Sequence, residues 1–396
     1  MGAHHPRHAA TETRGMRRTA LAVVVPLALL TLVALVVLRP TDGLDGPAAV
    51  DAAAQVEGEV AAIDAEACPE EAPDDVNGCG TATVRITDGA DAGDEVEVPL
   101  PNGSGAPEVD VGDRIVMVEV ENPDGTAYTI VDHQRGRALL VLVVAFALAV
   151  VAFARWRGLA ALVGLAVSFG LLVLFVVPAI LQGEPPLLVA IVGAAAITLT
   201  VLYLTHGLSL STTVAVVGTL AALTLTGLLS ALSVAALHLT GITDDLSFSV
   251  GTAYRVDTQG LLLAGIVIGS LGVLDDVTVT QGATVAELAD ADRSMGFRAL
   301  YRAGSRVGRA HIASVINTIV LAYAGSALPL LVLIVAGQDS FTGVVVDQVI
   351  AQEVVRSVVA TLGLVAAVPI TTALAAAAAV RARRDPRATA SSTPSG

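Results

Sequence analysis

The sequence predicts a polytopic α-helical membrane protein of about eight transmembrane helices, with a small all-β, OB-like domain inserted between helices 1 and 2. Three observations carry this fold class. Of the 396 residues 54% are apolar and only 15% charged, with a mean hydropathy of +0.73, where an ordinary soluble chain has about 25% charged residues. Eight apolar stretches come close to, or exceed, the roughly 20 residues a spanning helix needs. Acidic charge is also concentrated: residues 39–137 hold 23 Asp and Glu against five Arg, while the rest of the chain is slightly basic.

Taken in order, residues 1–18 are a cytoplasmic segment carrying Arg7, Arg14, Arg17 and Arg18. The first apolar stretch, 19–38, has no small-x-small cleavage site at its end, so it reads as a retained signal anchor rather than a cleaved signal peptide. Residues 39–137 are the acidic extracytoplasmic domain. Five short alternating runs in it, 55–63, 81–87, 94–100, 114–121 and 127–132, are separated by turn residues such as Asp88-Gly89 and Asn102-Gly103, the pattern of a small barrel. A small sandwich is the alternative. So acidic a surface repels phosphates, which argues against nucleic acid as a partner.

The two cysteines, Cys68 and Cys79, both fall in this insert. On an oxidising side of the membrane a disulfide is the economical reading; a cation site using Glu70, Glu71, Asp74 and Asp75 is the rival.

Residues 138–380 form a seven-helix membrane domain, with apolar stretches at 138–154, 158–181, 187–205, 208–240, 260–283, 312–336 and 358–380. Residues 381–396 are expected as a disordered cytoplasmic tail. Short cytoplasmic loops collect Arg. With eight crossings the N-terminal segment, Arg155 and Arg157, the 293–309 linker and the C-terminal tail all share one side, placing both termini in the cytoplasm. The stretch 208–240 would reach about 50 Å as one helix; charge placement favours one long tilted helix over a break at Gly227. Its Thr212, Thr219, Thr226 and Ser233 recur every seven residues, which reads as a packing seam or, alternatively, a wetted pathway.

The chemistry-bearing residues lie in the sixth and seventh stretches. Asp275 and Asp276 follow fifteen uncharged residues, with Thr280 and Gln281 behind them. Carboxylates at such depth are costly unless paired, hydrated or protonated. His311, Ser314, Asn317 and Thr318 are spaced along one side of the next helix, and Asn317 falls at a depth similar to Asp276 in an antiparallel pair. Two readings follow: a polar lock between helices, or an intramembrane ion or proton site. Between these stretches Arg298, Arg302, Arg306 and Arg309 repeat at helical spacing beside Phe297, Leu300 and Tyr301, as in an orienting helix at the lipid surface.

The motifs Leu274-Asp275-Asp276-Val277, Asn317-Thr318-Ile319-Val320-Leu321-Ala322-Tyr323-Ala324-Gly325 and Glu353-Val354-Val355-Arg356 with Val368-Pro369-Ile370-Thr371-Thr372 occur in that order. With Tyr128–Asp132 and Thr205-His206-Gly207, they make the chain resemble the YibE/F-like family of bacterial multi-pass membrane proteins, over roughly residues 56–372. The resemblance implies an external β domain with about eight spans in the bacterial cell membrane. It carries no activity, and it weights Asp276 above Asp275.

Three function classes are compared. A transporter or channel for an ion or small solute, with a polar site around Asp276 and Asn317, accounts for intramembrane carboxylates and hydroxyl-bearing helices, and is the leading expectation. An envelope scaffold or assembly factor, binding a protein or cell-wall partner through its β domain, is the alternative. Enzymes fall last: no HExxH, GxSxG or Walker loop occurs. The expected partner is thus the lipid bilayer, with an ion, solute or envelope protein, and no cofactor or metal is expected.

Overall fold

The computed structural model describes residues 14–40, 54–66, 68, 76–89, 91–103, 105–122, 125–243, 245–329, 331–332 and 347–384. The expectations for the N-terminal thirteen residues, the tail beyond Arg384 and the acids at 70–75 lie outside them. Contacts divide the chain into two compact units, Pro47–Arg155 and the remainder, Met1–Gly46 with Trp156–Gly396.

The first unit is built on five strands, β1 Gln55–Glu66, β2 Cys79–Ile86, β3 Glu95–Pro99, β4 Arg114–Asn122 and β5 Gly125–His133. They form one antiparallel sheet in the order β3-β2-β1-β4-β5, and β3 returns close to β5. Alternation places Val60, Val84, Val98, Ile115, Met117 and Ile130 on the buried face, as the two-residue period requires. Gly58 sits on that face because a Cβ there would collide with Val84 and meet Met117. Cys68 and Cys79 are joined in a disulfide. Beside it, the Asn77 amide donates to the carbonyls of Pro101 (2.6 Å) and Pro107 (2.8 Å) and accepts from Val109 N–H (2.8 Å), so one side chain ties three loop positions.

α2, Gly136–Leu171, starts in this unit and is interrupted at Arg155, whose φ of 53° and ψ of −129° are not helical. The break falls between the stretches 138–154 and 158–181.

The second unit comprises α1 Arg14–Val37, the rest of α2, a π turn at Leu172–Val176 leading into α3 Val177–Leu181, then α4 Pro186–His206, α5 Leu210–Ala236, α6 Asp245–Ala253, α7 Thr258–Ala291, α8 Phe297–Ser326 and α9 Gln348–Arg384. α5, α7 and α9 pack on one another, α4 lies on α7, and α8 lies on α9 and α7. Seven helical stretches among the described residues are long and apolar enough to cross a membrane; this is a multi-pass membrane protein.

Small residues allow these helices to approach. A Cβ on Gly218 of α5 would strike Thr371 of α9, and one on Gly363 of α9 would strike Thr226 of α5. Close approach of this kind drives helix association where lipid removes the hydrophobic incentive. Thr212, Thr219 and Thr226 are buried, and the Thr226 hydroxyl donates to its own helix at Ala222 O, so the heptad stripe is largely a packing seam.

The helix bounds differ from the sequence expectations in four places. α5 is 27 residues long and unbroken through Gly227, ending where His238 takes a positive φ. α7 continues eight residues past 283. The Arg-bearing segment expected at the lipid surface is not a separate helix: Arg298, Arg302, Arg306 and Arg309 belong to α8, which runs on without interruption to Ser326. α9 begins ten residues early and takes Glu353 and Arg356 out of the expected loop. Apolarity marks the hydrocarbon-spanning part of a helix, whereas backbone hydrogen bonding continues beyond it.

Candidate functional site

α7 organises the site. Asp257 caps it, accepting from Gln259 N–H at 3.1 Å, and the helix then runs 34 residues with Leu262, Ile266, Leu274, Val277 and Val285 buried. Successive helical residues point about 100° apart, so Asp275 and Asp276 cannot share a direction. Asp275 turns into the bundle and is partly buried; Asp276 is exposed.

Around Asp275 converge three threonines that are each 0% exposed: Thr198 of α4, Thr219 of α5 and Thr278 of α7. Thr198 donates to the Asp275 carboxylate at 3.4 Å. The Thr219 and Thr278 hydroxyls share a 2.6 Å hydrogen bond, and Thr278 donates to the Asp275 carbonyl at 3.1 Å. Among the described residues no Arg or His forms an ion pair with Asp275. The cluster offers one carboxylate and three neutral hydroxyls at a three-helix junction, an all-oxygen set suited to a hard cation or a proton.

Six residues further along α7, Gln281 makes a different contact. It is 4% exposed and its amide donates to Gly304 O of α8 at 2.9 Å and to Thr372 Oγ1 of α9 at 2.7 Å. Thr372 in turn donates to Val368 O. Gly304 and Gly308 leave room for the amide: a Cβ on Gly308 would lie 2.6 Å from Gln281 Oε1. Every member is neutral and bonded, which is the chemistry of a helix lock.

The remaining candidates are not brought together. Thr280 is exposed beside Asp276's side of α7. Ser314, Asn317 and Thr318 are exposed on α8, whose buried residues are Leu300, Ala303, Gly304, Gly308, Ile312 and Ile319; Thr318 donates back to Ser314 O. His311 is partly exposed. Among the described residues no hydrogen bond joins Asp276 to Asn317, so the expected pairing is not formed. Arg298, Arg302, Arg306 and Arg309 are all exposed.

Thr198 and Thr278 were not among the expected site residues, and Thr372 stood only in the family motif, without a site role. Thr278 had a usable signal, lying one turn beyond Asp275, and Thr219 stood in the heptad stripe; Thr198 is one threonine in an apolar helix with nothing to mark it. No group of three or more His, Cys, Asp or Glu among the described residues is placed to hold a metal ion.

A family model described as YibE/F-like protein matches residues 142–381. The matched stretch contains the whole Asp275 cluster and the Gln281 lock, but starts after the five strands, so the resemblance expected from residue 56 onward is met from within α2. No curated protein and no solved structure matches the chain.

Proposed function

Because this chain belongs to the YibE/F-like family, with the Asp275 cluster inside the matched stretch, we propose that it conducts or transports a monovalent cation or proton through a site centred on Asp275. The observation that carries this reading is a carboxylate with no ion-pair partner among the described residues, set among three buried hydroxyls at a helix junction. Intramembrane carboxylates of this kind face bundle interiors and mark ion or proton paths. A single negative charge with hydroxyl ligands matches one positive charge, whereas divalent ions favour several carboxylates. The long 3.4 Å contact from Thr198 also suits conduction, which needs a ligand able to leave.

An approach route supports the same reading. An open cleft of about 710 Å³ between α4 and α7 is lined by His206, Thr280, Thr284 and Glu287. Thr280, which lines the cleft, is one helical turn from the exposed Asp276. Asp276 becomes the hydrated approach and Asp275 the site.

The wider architecture is part of the proposal. The 46-residue stretch Gly136–Leu181, interrupted at Arg155, is about 69 Å of helix and supplies two crossings, for eight in total. Arg placement puts both termini in the cytoplasm and the β unit outside. The strand order with β3 returning to β5 supports an OB-like closure. The reading is non-enzymatic.

The test is flux through the purified chain in proteoliposomes under proton, Na⁺ and K⁺ gradients. Asp275→Asn should abolish flux and Asp276→Asn should reduce it only partly. Absence of flux for all three ions in the wild-type chain would overturn the reading, leaving the envelope-scaffold alternative, for which Asp275→Asn would be silent.

A further inference from the structure

Away from the Asp275 cluster, the first turns of α8 carry Arg298, Arg302, Arg306 and Arg309, all exposed. At about 100° per residue the four fall within an arc of about 80°, opposite the buried Leu300, Ala303, Gly304 and Gly308. α8 has no Asp or Glu, and among the described residues none of the four arginines is in an ion pair. Like charges one turn apart repel along a helix, so this face calls for an anion from outside the chain. Contacts on its buried side fix its depth. The Gln281 amide donates to Gly304 O, a Cβ on Gly308 would meet Gln281 Oε1, and one on the next residue of α7, Gly282, would lie 3.5 Å from Ser211 O in the first turn of α5. Gly304 and Gly308 are therefore level with the turn at 207–209 that joins α4 to α5. Two helices long and apolar enough to cross a membrane meet in that turn, which puts it at the bilayer surface. Beyond Arg309, α8 holds no Arg, Asp or Glu to its end at Ser326, and on the arginine face the exposed side chains turn apolar, as at Ala313 and Val320.

We propose that this face binds anionic phospholipid, its guanidinium groups holding the phosphate of a headgroup with net negative charge while the acyl chains lie along the apolar continuation of α8. Three features select this occupant. Four positive charges with no carboxylate among them attract net negative charge and repel the ammonium of a zwitterionic headgroup. Arginine forks match phosphate oxygens two at a time. The third feature is depth: Arg298 to Arg309 spans about 16 Å of helix, centred within a turn of the α4–α5 level, and long arginine stems carry their charged heads to the interface from either side. A soluble acidic partner would meet the same charge but not the apolar surface directly beneath it, whereas a lipid uses both.

The experiment is native mass spectrometry of the full-length chain, delipidated in detergent and offered equal amounts of phosphatidylglycerol and phosphatidylcholine with identical acyl chains. Each arginine at a membrane surface strengthens anionic-lipid binding about fivefold, so two or more of them should retain phosphatidylglycerol at least about 25-fold over phosphatidylcholine. Arg302→Gln with Arg306→Gln should lower that preference by about 25-fold. The control pair Arg157→Gln with Arg255→Gln, which removes the same charge elsewhere in the helical unit, should leave it within about twofold. All four positions are exposed, so both double variants should stay monodisperse on size exclusion. Inorganic phosphate added at constant ionic strength should not displace the lipid, because it has no acyl chain to lie on α8. Equal retention of the two lipids overturns the proposal. So does an equal loss in both double variants, which would make the preference a matter of overall charge, or displacement by inorganic phosphate, which would make a soluble phosphate the ligand.

Discussion

Two polar contacts on α7 lie six residues apart and behave as opposites. Around Gln281 a neutral amide meets a backbone carbonyl and a hydroxyl at 2.9 and 2.7 Å, and a glycine pair on α8 makes space for it. Around Asp275 a carboxylate accepts from the Thr198 hydroxyl at 3.4 Å, and among the described residues no Arg or His pairs with it. A satisfied neutral network fixes helix positions and needs nothing further. A carboxylate held loosely at a helix junction keeps a demand for positive charge that an ion or proton meets. Both side chains turn into the bundle, Gln281 the more deeply buried, and what separates lock from site is charge and hydrogen-bond completeness.

The largest expected effect separates the two in function. Asp275→Asn keeps the size and hydrogen-bonding of the side chain but cannot carry charge, so it should remove the ion flux altogether while the thermal midpoint in detergent shifts by only a few degrees. Should flux persist and stability collapse, Asp275 would be a lock like Gln281 and the contrast would disappear.

Next comes steric disruption of the lock. Gly308→Val places atoms where Gln281 Oε1 and Val368 already sit, and overpacking of that kind costs about 1 to 3 kcal/mol. Thermal unfolding of the purified chain should show it as a lowered midpoint, with flux per folded molecule retained. Gln281→Leu should cost less, about 1 to 2 kcal/mol, the range for an interhelical hydrogen bond in a membrane protein, because Leu fills most of the space while leaving Gly304 O and Thr372 without their donor. A loss of flux without a loss of stability in either variant would move Gln281 into the site.

How much of this was legible depends on what each feature writes into the chain. Five strands appear because alternation and turn residues are local signals; each lies within a few residues of its expected run, and β1 is longer because its far end pairs with β2 up to Cys79. The buried membership of Thr219 was partly visible in the heptad stripe. The choice between Asp275 and Asp276 was not, since adjacent residues differ only by rotation about the helix axis, which packing of α4 and α5 sets. Asn317 was placed opposite Asp276 by depth alone, and depth says nothing about azimuth; α8 turns Gly304, Gly308 and Ile312 inward instead. Thr198 comes from a helix 77 residues away, and no local pattern marks it.

The smallest expected effect calibrates the scale from its exposed end. Asp132 accepts both contacts from Arg135 Nη1 at 2.6 Å, as close as the Thr219–Thr278 contact in the bundle, yet the two side chains are 51% and 58% exposed and water screens them. The Arg135 hydrogen bond, helped by the His133 backbone N–H, holds the Asp132 carboxyl below the usual carboxylate range. Its pKa is therefore lower in the folded chain than in the unfolded one. Its contribution is present above the unfolded value of about 4 and fades as pH falls through the lower folded value. Arg135→Gln should leave thermal stability at neutral pH nearly unchanged and raise the Asp132 titration midpoint, followed by NMR, toward the ordinary value. A stability loss at neutral pH as large as that of Gln281→Leu would show that distance, not burial and completeness, sets the worth of a polar contact here, and would remove the basis for separating Asp275 from Gln281.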